Sequence, residues 1–420
     1  MRRVLLLATT TGYQTRMFGE AADRLGVKLI FATDRCDQLE DPWWDGAIPI
    51  RFHQEAAAVR DIVATASANP FHGILAVGDR PTVIAAYAAH LLDLTGNPPE
   101  AATAARDKRL TRECLKAAVL LVPRFKVVAA TVDPRPIAVT LDYPVVVKPA
   151  ALSGSRGVMR ADNPTGFVVA FDRLRRLLAE DDVRVMQDPA AEDVLIESFI
   201  DGREFAIEGV LERGVLQTLA IFDKPDPLDG PFFEETIYVT PSTSPPAVQD
   251  QITTAIAEAA RALGLFHGPV HAECRVNDRG VYVLEVAARP IGGLCARALQ
   301  FARPGGDTAG LEELLLRHAL GERLEDWTRE PIASGVMMIP IPAGGIYRRA
   351  HGVEAAEQVA AVCEIRITAK PDQALVPLPE GSSYLGFIFA KGATPKAVEL
   401  ALREAHSRLT FDIDRRLVVL

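Results

Sequence analysis

Hydrophobic and polar positions in the first 95 residues follow two alternating patterns. Short apolar runs are followed by stretches in which apolar residues recur every three or four positions, the spacing of an amphipathic helix. The first such stretch ends at Gly26. Strands that alternate with helices predict a parallel sheet covered on both faces. The predicted elements are strands at 4–8, 28–32 and 73–77 and helices at 17–25, 53–67 and 81–94.

Beyond Asn97-Pro98-Pro99 the pattern becomes a mixture of helices, strands and one long polar loop at 223–246. The last 90 residues predict a separate α+β unit. We therefore expect a chain of α/β and α+β character in four parts, at 1–96, 97–200, 201–330 and 331–420. The further predicted elements are strands at 144–148, 193–199, 204–211, 215–222, 333–339, 363–368 and 384–390, a hairpin at 269–287, a helix capped by Asp107, and helices at 164–180, 248–263 and 395–408.

Composition narrows the protein class. The chain has 420 residues, 49% hydrophobic and 24% charged, with a formal net charge of -9 and no run of Lys or Arg that suggests a nucleic-acid partner. Five scattered cysteines without a CxxC pair predict a reducing compartment, with no disulfide framework and no zinc site. The apolar N-terminal run is too short for a signal peptide, and no stretch approaches the roughly 20 residues of a membrane helix. We therefore expect a cytoplasmic protein that binds neither nucleic acid nor membrane.

A lysine that ends a predicted strand is followed by a loop of small residues. Gly154 and Gly157 allow positive φ and let backbone N–H groups approach an anion, while Ser153 and Ser155 add hydroxyl donors. Lys148 supplies a positive charge for the α and β phosphates of a nucleotide. The alternative is an ordinary flexible hairpin with a surface lysine, and this segment alone does not decide between the two.

The predicted hairpin carries two glutamates on one face. A loop of odd length pairs Glu273 with Glu285, whereas an even-length loop would bury a carboxylate. Paired side chains have Cβ atoms about 5 Å apart, where like charges repel each other. A divalent cation held by both carboxylates and by phosphate oxygens is favoured. The alternative is a solvated face neutralised by Arg275 and Arg289. The residues predicted on the opposite, apolar face are Ala272, Cys274, Val276, Tyr282, Leu284 and Val286.

Taken together and in order, these segments resemble the ATP-grasp superfamily over roughly residues 1–330. The resemblance implies an ATP-grasp fold preceded by a Rossmann-like N-terminal domain and followed by a C-terminal α+β subdomain. It also implies that Lys108 and Lys148 bind the nucleotide, and that the loop 153–158 closes over its phosphates.

The segment from Glu197 to Phe205 resembles the adenine hinge of the superfamily. The resemblance implies that Glu197 takes the adenine amino group and that the backbone of Phe199 and Ile200 pairs with the ring edge. Glu204 would bind the ribose.

The same resemblance assigns the reaction centre. Glu273 and Glu285 match the Mg²⁺ ligands, with Mn²⁺ as a substitute, and Arg289 matches the arginine that faces the transferred phosphate and acyl group. Gly292 and Gly293 offer backbone donors to an acyl phosphate. Many relatives carry Asn where this chain has Ala287, which leaves the number of protein ligands on one Mg²⁺ open.

Within the superfamily, the chain resembles the bacterial L-amino-acid ligases most in the stretches 285–293, 223–242 and 352–387. We therefore expect an ATP-dependent ligase that joins a carboxylate to an amine, with small-molecule and chiefly amino-acid substrates. His271, Glu234 and Glu235 are candidate bases, although a packed histidine is favoured for His271. The alternatives are a bicarbonate-activating carboxylase and a non-catalytic nucleotide-binding protein, and a homodimer is left open.

Overall fold

The N-terminal domain is a parallel sheet between helices. A computed structural model describes residues 1–9, 13–34 and 47–414, so Cys36 lies outside the described residues. The strand order is β3-β2-β1-β4, and every pairing is parallel, which confirms the predicted sheet. Its elements are β1 (Arg3–Ala8), α1 (Tyr13–Leu25), β2 (Lys28–Thr33), β3 (Ile48–Pro49), α2 (Glu55–Ala68), β4 (Gly73–Val77) and α3 (Pro81–Leu91).

Two helices, α4 (Pro99–Arg106) and α5 (Lys108–Ala117), lead out of this domain. Asp107 caps α5 as predicted, because its carboxylate accepts from the N–H groups of Arg109 and Leu110. The next unit, which we call the lid, is a four-stranded antiparallel sheet in the order β5-β8-β6-β7 with α7 packed on it. The lid elements are β5 (Phe125–Ala129), α6 (Arg135–Ala138), β6 (Val145–Pro149), β7 (Met159–Ala161), α7 (Pro164–Leu178), α8 (Asp181–Arg184), a 3-10 turn at Pro189–Glu192 and β8 (Asp193–Ser198).

An eight-stranded sheet forms the floor of the molecule, in the order β13-β12-β9-β10-β11-β17-β21-β19. The predicted loop at 223–246 contains one of its strands, which sequence reasoning missed. The elements of this part are β9 (Arg203–Glu212), β10 (Val215–Asp223), β11 (Ile237–Thr240), α9 (Pro246–Leu263), β12 (Gly268–Asn277), β13 (Gly280–Ala287), a 3-10 turn at Cys295–Ala298, β14 (Gln300–Ala302), β15 (Thr308–Gly310), α10 (Leu311–Ala319) and β16 (Thr328–Arg329).

The C-terminal part has helices and strands, as predicted, but it shares a sheet with the preceding part. Its strands β17, β21 and β19 extend the same sheet, because β11 pairs with β17. Only β20, β18 and β22 form a small sheet of their own. The elements are β17 (Ala333–Ile339), β18 (Gly345–His351), α11 (Val353–Glu357), β19 (Val362–Ile367), β20 (Ala374–Leu375), β21 (Gly386–Gly392), α12 (Pro395–Ser407) and β22 (Thr410–Asp414).

The hairpin of β12 and β13 pairs Glu273 with Glu285 as predicted. The turn is nevertheless of even length, since Asn277 pairs with Gly280, and the register skips Leu284. A β-bulge there restores the glutamate pairing and moves Val281 and Val283 to the buried face. The predicted placement of Tyr282 and Leu284 on that face is therefore wrong, because it requires regular pairing of the two strands without a bulge.

One hydrophobic core is shared between the N-terminal domain and the floor sheet. Buried residues of β1 and α1 pack in one cluster with residues of α10 and of the floor sheet, so the N-terminal domain is fixed to the floor. None of the helices in the described part of the chain combines the length and apolarity needed to span a bilayer.

Candidate active site

One cleft lies between the lid, the floor sheet and the N-terminal domain. Its volume is about 990 Å³, which is large enough for a nucleotide together with small substrates. All predicted site residues except Gly157 line it. Gly157 packs against Leu174 and Leu177 and donates its N–H to the Pro379 carbonyl, so its N–H is not directed at a phosphate.

Lys148 and Arg112 share one carboxylate at the lid side of the cleft. Arg112, fully buried in α5, donates to Glu197 through Nε at 2.5 Å, and Lys148 Nζ lies 2.7 Å from the other oxygen of Glu197. Arg112 also donates to the Leu284 carbonyl, the group that the β-bulge leaves unpaired. Burial, with Arg112 nearby, lowers the pKa of Lys148 to about 8 although Glu197 opposes the shift. Two cations against one anion leave positive charge for a phosphate to neutralise.

The loop after β6 presents its residues to the cleft. Ser153, Gly154 and Ser155 line it, and Gly154 and Ser155 both have positive φ, at 65° and 55°. Such consecutive conformations turn backbone N–H groups toward one side, which suits an anion. Lys108, the first residue of α5, steadies the loop because its Nζ donates to the Leu152 carbonyl at 2.8 Å.

The predicted adenine hinge joins β8 to β9 at the mouth of the cleft. Phe199 donates its N–H to the Pro144 carbonyl, and the Ile200 carbonyl accepts from Arg275. Within the described part of the chain, the Phe199 carbonyl and the Ile200 N–H remain for an adenine edge. Phe233 stacks on Phe199 with ring centroids 6.4 Å apart and supplies an apolar wall that sequence reasoning missed.

Glu273 belongs to a cluster of three carboxylates around one ammonium group. Lys224 Nζ donates to Glu204 at 2.9 Å, to Glu235 at 2.5 Å and to Glu273 at 2.8 Å. Although burial opposes its charge, the three carboxylates raise the pKa of Lys224 well above its ordinary value. Burial and the nearby Glu273 raise the pKa of Glu235 to about 7.

Glu285 faces a second set of cations. Lys108 Nζ lies 3.9 Å from its carboxylate, and Arg289 Nη2 lies 3.6 Å from it. Arg289 also donates to both oxygens of Asp79, at 2.8 and 3.4 Å. Burial works against the ionised form of Asp79, but Arg289 holds the pKa of this carboxyl below its usual range. The two glutamates of the hairpin therefore lie near different cationic side chains, Glu273 near Lys224 and Glu285 near Lys108 and Arg289.

The three candidate bases differ in their position relative to the cleft and in their contacts. Glu235 lines the cleft, whereas Glu234 is not among its lining residues. His271 Nδ1 contacts Glu208, and this carboxylate outweighs burial and raises the pKa of His271 to about 9. The imidazole also lines the cleft, but as a protonated group at neutral pH it does not suit the role of a base. Gly292 and Gly293 lie exposed at the inner end of the cleft.

Sequence reasoning missed several residues that shape this site. Asp79 directly follows Gly78 at the carboxyl end of the parallel strand β4, a position where ligands commonly bind in open α/β sheets. That position could have identified it. Arg112 follows Lys108 in the motif at the start of α5, but its pairing with Glu197 was not predicted, because Glu197 lies 85 residues away in sequence. Lys224, Phe233 and Tyr384 lie in the stretches that resemble the L-amino-acid ligases, but no role in the site was predicted for them from the sequence.

The residues present fit a nucleotide and a divalent cation. The excess positive charge of Lys148 and Arg112, with Lys108 beside them, suits phosphate groups. Glu273 and Glu285 offer hard anionic oxygens of the kind that Mg²⁺ prefers. Ala287 pairs with His271 in the same hairpin and has no side-chain donor, so the glutamates are the predicted protein ligands.

Models of three protein families match the chain in order. They are an ATP-grasp N-terminal domain over residues 19–96, an ATP-grasp domain over 141–298 and L-amino acid ligase C-terminal domain 2 over 337–414.

Among curated relatives, the uncharacterized protein y4rH of Sinorhizobium fredii is 23% identical over 76% of this chain and 64% of its own length. A D-alanine--D-alanine ligase of Cupriavidus metallidurans is 29% identical over 47% of this chain and 58% of its own length. The matched segments thus cover less than two thirds of these two relatives.

Solved structures resemble the whole chain. An L-amino acid ligase from Bacillus licheniformis superimposes with a TM-score of 0.82 at 26% identity, over 99% of both chains. The N5-carboxyaminoimidazole ribonucleotide synthetase of Thermotoga maritima has a TM-score of 0.69 at 15% identity, over 99% of this chain and all of that one, and shows the fold alone. With its family models, fold and ordered motifs in agreement, this chain contains an ATP-grasp N-terminal domain and an ATP-grasp domain, and it is similar over its whole length to an L-amino acid ligase.

Proposed function

We propose that the protein is an Mg-ATP-dependent carboxylate–amine ligase that activates an amino-acid carboxylate as an acyl phosphate. The observation that carries the proposal is the position of Arg289 beside Glu285 at the inner end of a nucleotide-sized cleft. A guanidinium presents a planar fork suited to a carboxylate or an acyl phosphate. The amino-acid substrate class is supported by the full-length similarity to an L-amino acid ligase.

In the first step, a carboxylate oxygen of the substrate attacks the γ-phosphorus of ATP, and the bond to the β–γ bridging oxygen breaks as ADP leaves. Phosphoryl transfer requires positioning and charge neutralisation more than covalent help from the protein. Lys148 and Lys108 lie where they can neutralise phosphate charge, and the loop 153–155 offers backbone donors. A divalent ion held by Glu273 and Glu285 would supply further charge neutralisation.

In the second step, the amine nitrogen attacks the acyl carbon, the carbon–oxygen bond to phosphate breaks, and the nitrogen loses a proton. Arg289 and the N–H groups of Gly292 and Gly293 are placed to stabilise the oxyanion that forms. Three carboxylates, Glu204, Glu235 and Glu273, share the single ammonium of Lys224, so this wall of the cleft carries an excess of negative charge that suits a cationic amine. We therefore infer that the amine substrate enters beside Glu235. Of the other acidic residues of the 223–242 segment, Asp223 and Asp226 bind Ser242 and Arg403, and Asp229 and Glu234 do not line the cleft.

Substrate-dependent ADP release tests this function. With Mg-ATP, single amino acids and pairs of amino acids should release ADP, and hydroxylamine should trap an aminoacyl hydroxamate. ADP release with bicarbonate alone, and none with any amino acid, would instead assign a carboxylase. No ADP release with any of these substrates, together with tight ATP binding, would assign a non-catalytic nucleotide-binding protein.

A further inference from the structure

Away from the cleft, two histidines and a glutamate meet where the floor sheet joins α10. Glu212 ends β9, His267 directly precedes β12, and His318 lies in the last turn of α10. Their ligand-type atoms all lie within 4.8 Å of one another. The cluster therefore gathers three metal-ligating side chains from three elements that are distant in sequence.

Both imidazoles are buried, His267 with 7% and His318 with 1% of its surface exposed. Neither His267 Nδ1 nor His318 Nε2 has a hydrogen-bond partner among the described residues. These nitrogens lie 3.8 Å and 3.0 Å from the same oxygen of Glu212, in an orientation that does not form hydrogen bonds. A buried polar atom without a partner costs about 1–3 kcal/mol, so both nitrogens are available for a ligand that approaches from the Glu212 side.

We propose that Glu212, His267 and His318 bind a divalent transition-metal ion of the Zn²⁺ type. Imidazole nitrogens and a carboxylate oxygen are a common donor set for Zn²⁺. Metal–ligand bonds of about 2.0–2.1 Å in a tetrahedron place neighbouring donor atoms about 3.3 Å apart. The two nitrogen–oxygen distances in the cluster, 3.0 and 3.8 Å, bracket that value. The absence of cysteine pairs from the sequence excludes only a cysteine-based site.

The protonation states suit a metal. A ligating histidine must be neutral. Burial lowers the pKa of His318 to about 4 and also lowers the pKa of His267, with Glu212 opposing both shifts. The two rings are stacked, with centroids 4.1 Å apart and planes 15° apart, so their nitrogens lie side by side. For both to point at one ion, one ring must turn about its Cβ–Cγ bond.

The position of the cluster indicates a structural role. None of its three residues lines the cleft. Glu212 belongs to the floor sheet and His267 directly precedes one of its strands, while His318 lies in α10, which packs in the core shared with the N-terminal domain. The Glu212 side chain is 34% exposed and gives an ion access from solvent. Because a bound ion would hold both parts together, it should stabilise the folded chain according to its concentration.

The experiment uses full-length protein without a histidine tag, stripped with a chelator and titrated with Zn²⁺ in millimolar Mg²⁺. The Mg²⁺ is present to compete with Zn²⁺ for the carboxylates of the cleft. We expect one tightly bound Zn²⁺ per chain, a rise in Tm, and with Co²⁺ the visible absorption of a tetrahedral site. Glu212→Gln and His318→Gln should each abolish binding of this Zn²⁺ ion. His90→Gln, which changes an exposed histidine of α3, should bind Zn²⁺ as the wild-type protein does.

Wild-type protein that binds no tight Zn²⁺ in the presence of Mg²⁺, or variants that bind as wild type does, would overturn the proposal. If His318→Gln fails to fold, Glu212→Gln still decides, because its partly exposed side chain tolerates an amide. Neither measurement depends on ligase activity.

Discussion

Arg173 of the lid and Glu380 of the C-terminal part form a two-point ion pair, with nitrogen–oxygen distances of 2.5 and 2.8 Å. The same segment accepts two further hydrogen bonds from the lid. Arg156 donates to the Glu380 carbonyl at 2.6 Å, and Gly157 donates to the Pro379 carbonyl at 2.8 Å. The phosphate loop lies between these contacts, so the lid is fastened across the cleft and must break them to open.

Glu380→Gln should therefore loosen the lid, because it removes the charge while keeping the side-chain shape. Hydrogen exchange across 150–160 should become faster, and a non-hydrolysable ATP analogue should bind about two- to five-fold more weakly, as expected for a partly exposed ion pair. Asp182→Asn is the control, since Asp182 pairs with Arg156 within the lid. Equal effects of the two variants would contradict fastening by Glu380.

The phosphate loop should respond to nucleotide in the wild-type protein. Gly154 and Ser155 have positive φ and line the cleft, so bound phosphates should restrain them. We expect slower hydrogen exchange across 150–160 when the ATP analogue binds. Residues 395–407 in α12 serve as an internal reference. The same exchange with and without the analogue would exclude a closing lid.

Glu285→Gln tests the metal ligand. The amide keeps the shape of the side chain but is a weaker donor for Mg²⁺, so ligase activity should fall by about 100-fold or more while the fold persists. The rate should be measured over a range of Mg²⁺ concentrations. Glu364→Gln, on β19 and paired with Arg297, is the matched control and should keep its activity. A wild-type rate at saturating Mg²⁺ would rule out this role.

Local patterns predicted most of the fold, because strands and helices with clear periodicity fix their own positions. The strand at 333–339 and the cap at Asp107 are where the sequence placed them. The bulge at Leu284 was not predictable, because it depends on Arg112 taking the freed carbonyl from another element. The continuity of the floor sheet through β17 was missed for the same reason, since its pairing with β11 joins residues about 100 apart in sequence.

The candidate site divides in the same way. Residues marked by a motif, such as Lys148 and Glu285, were candidates from the sequence, and they line the cleft. The sequence did not identify residues whose charges act through long-range pairs, such as Asp79, which pairs with Arg289. Their partners are chosen by the tertiary fold, and spacing along the chain does not encode them.

Glu312, in the first turn of α10, should make stability depend on pH. Its side chain is buried, and burial raises its pKa above the ordinary value of 4.5. The folded state therefore holds this proton more tightly than the unfolded state does. The resulting stability is fully present below pH 4.5 and is lost as pH rises through the folded-state pKa.

Glu312→Gln should consequently raise Tm at neutral pH, and the gain should disappear in acid. Thermal unfolding at several pH values measures this difference. Glu354→Gln, an exposed position in α11, provides the control for loss of one charge. A variant that is less stable than wild type at neutral pH would show that the carboxylate has a stabilising partner.

The last prediction concerns Arg289 and the group it holds. Asp79 occupies two of its donors, and Glu285 lies 3.6 Å away, so the guanidinium is oriented before substrate arrives. If it binds the carboxylate being activated, Arg289→Lys should lower kcat/KM by about 100-fold, because a point charge cannot reproduce the fork.

Asp79→Asn should cost less than Arg289→Lys, because it disturbs the orientation of Arg289 and leaves its charge in place. Its loss should appear mainly in KM for the amino acid, with KM for ATP unchanged. Hydroxamate formation at varied amino-acid concentration separates the two constants. If Arg289 only balances Glu285 and Asp79, Lys would serve equally well, and Arg289→Lys would keep most of the activity. That outcome would require another cation, with Lys108 at 3.9 Å from Glu285 the nearest candidate, to hold the substrate carboxylate.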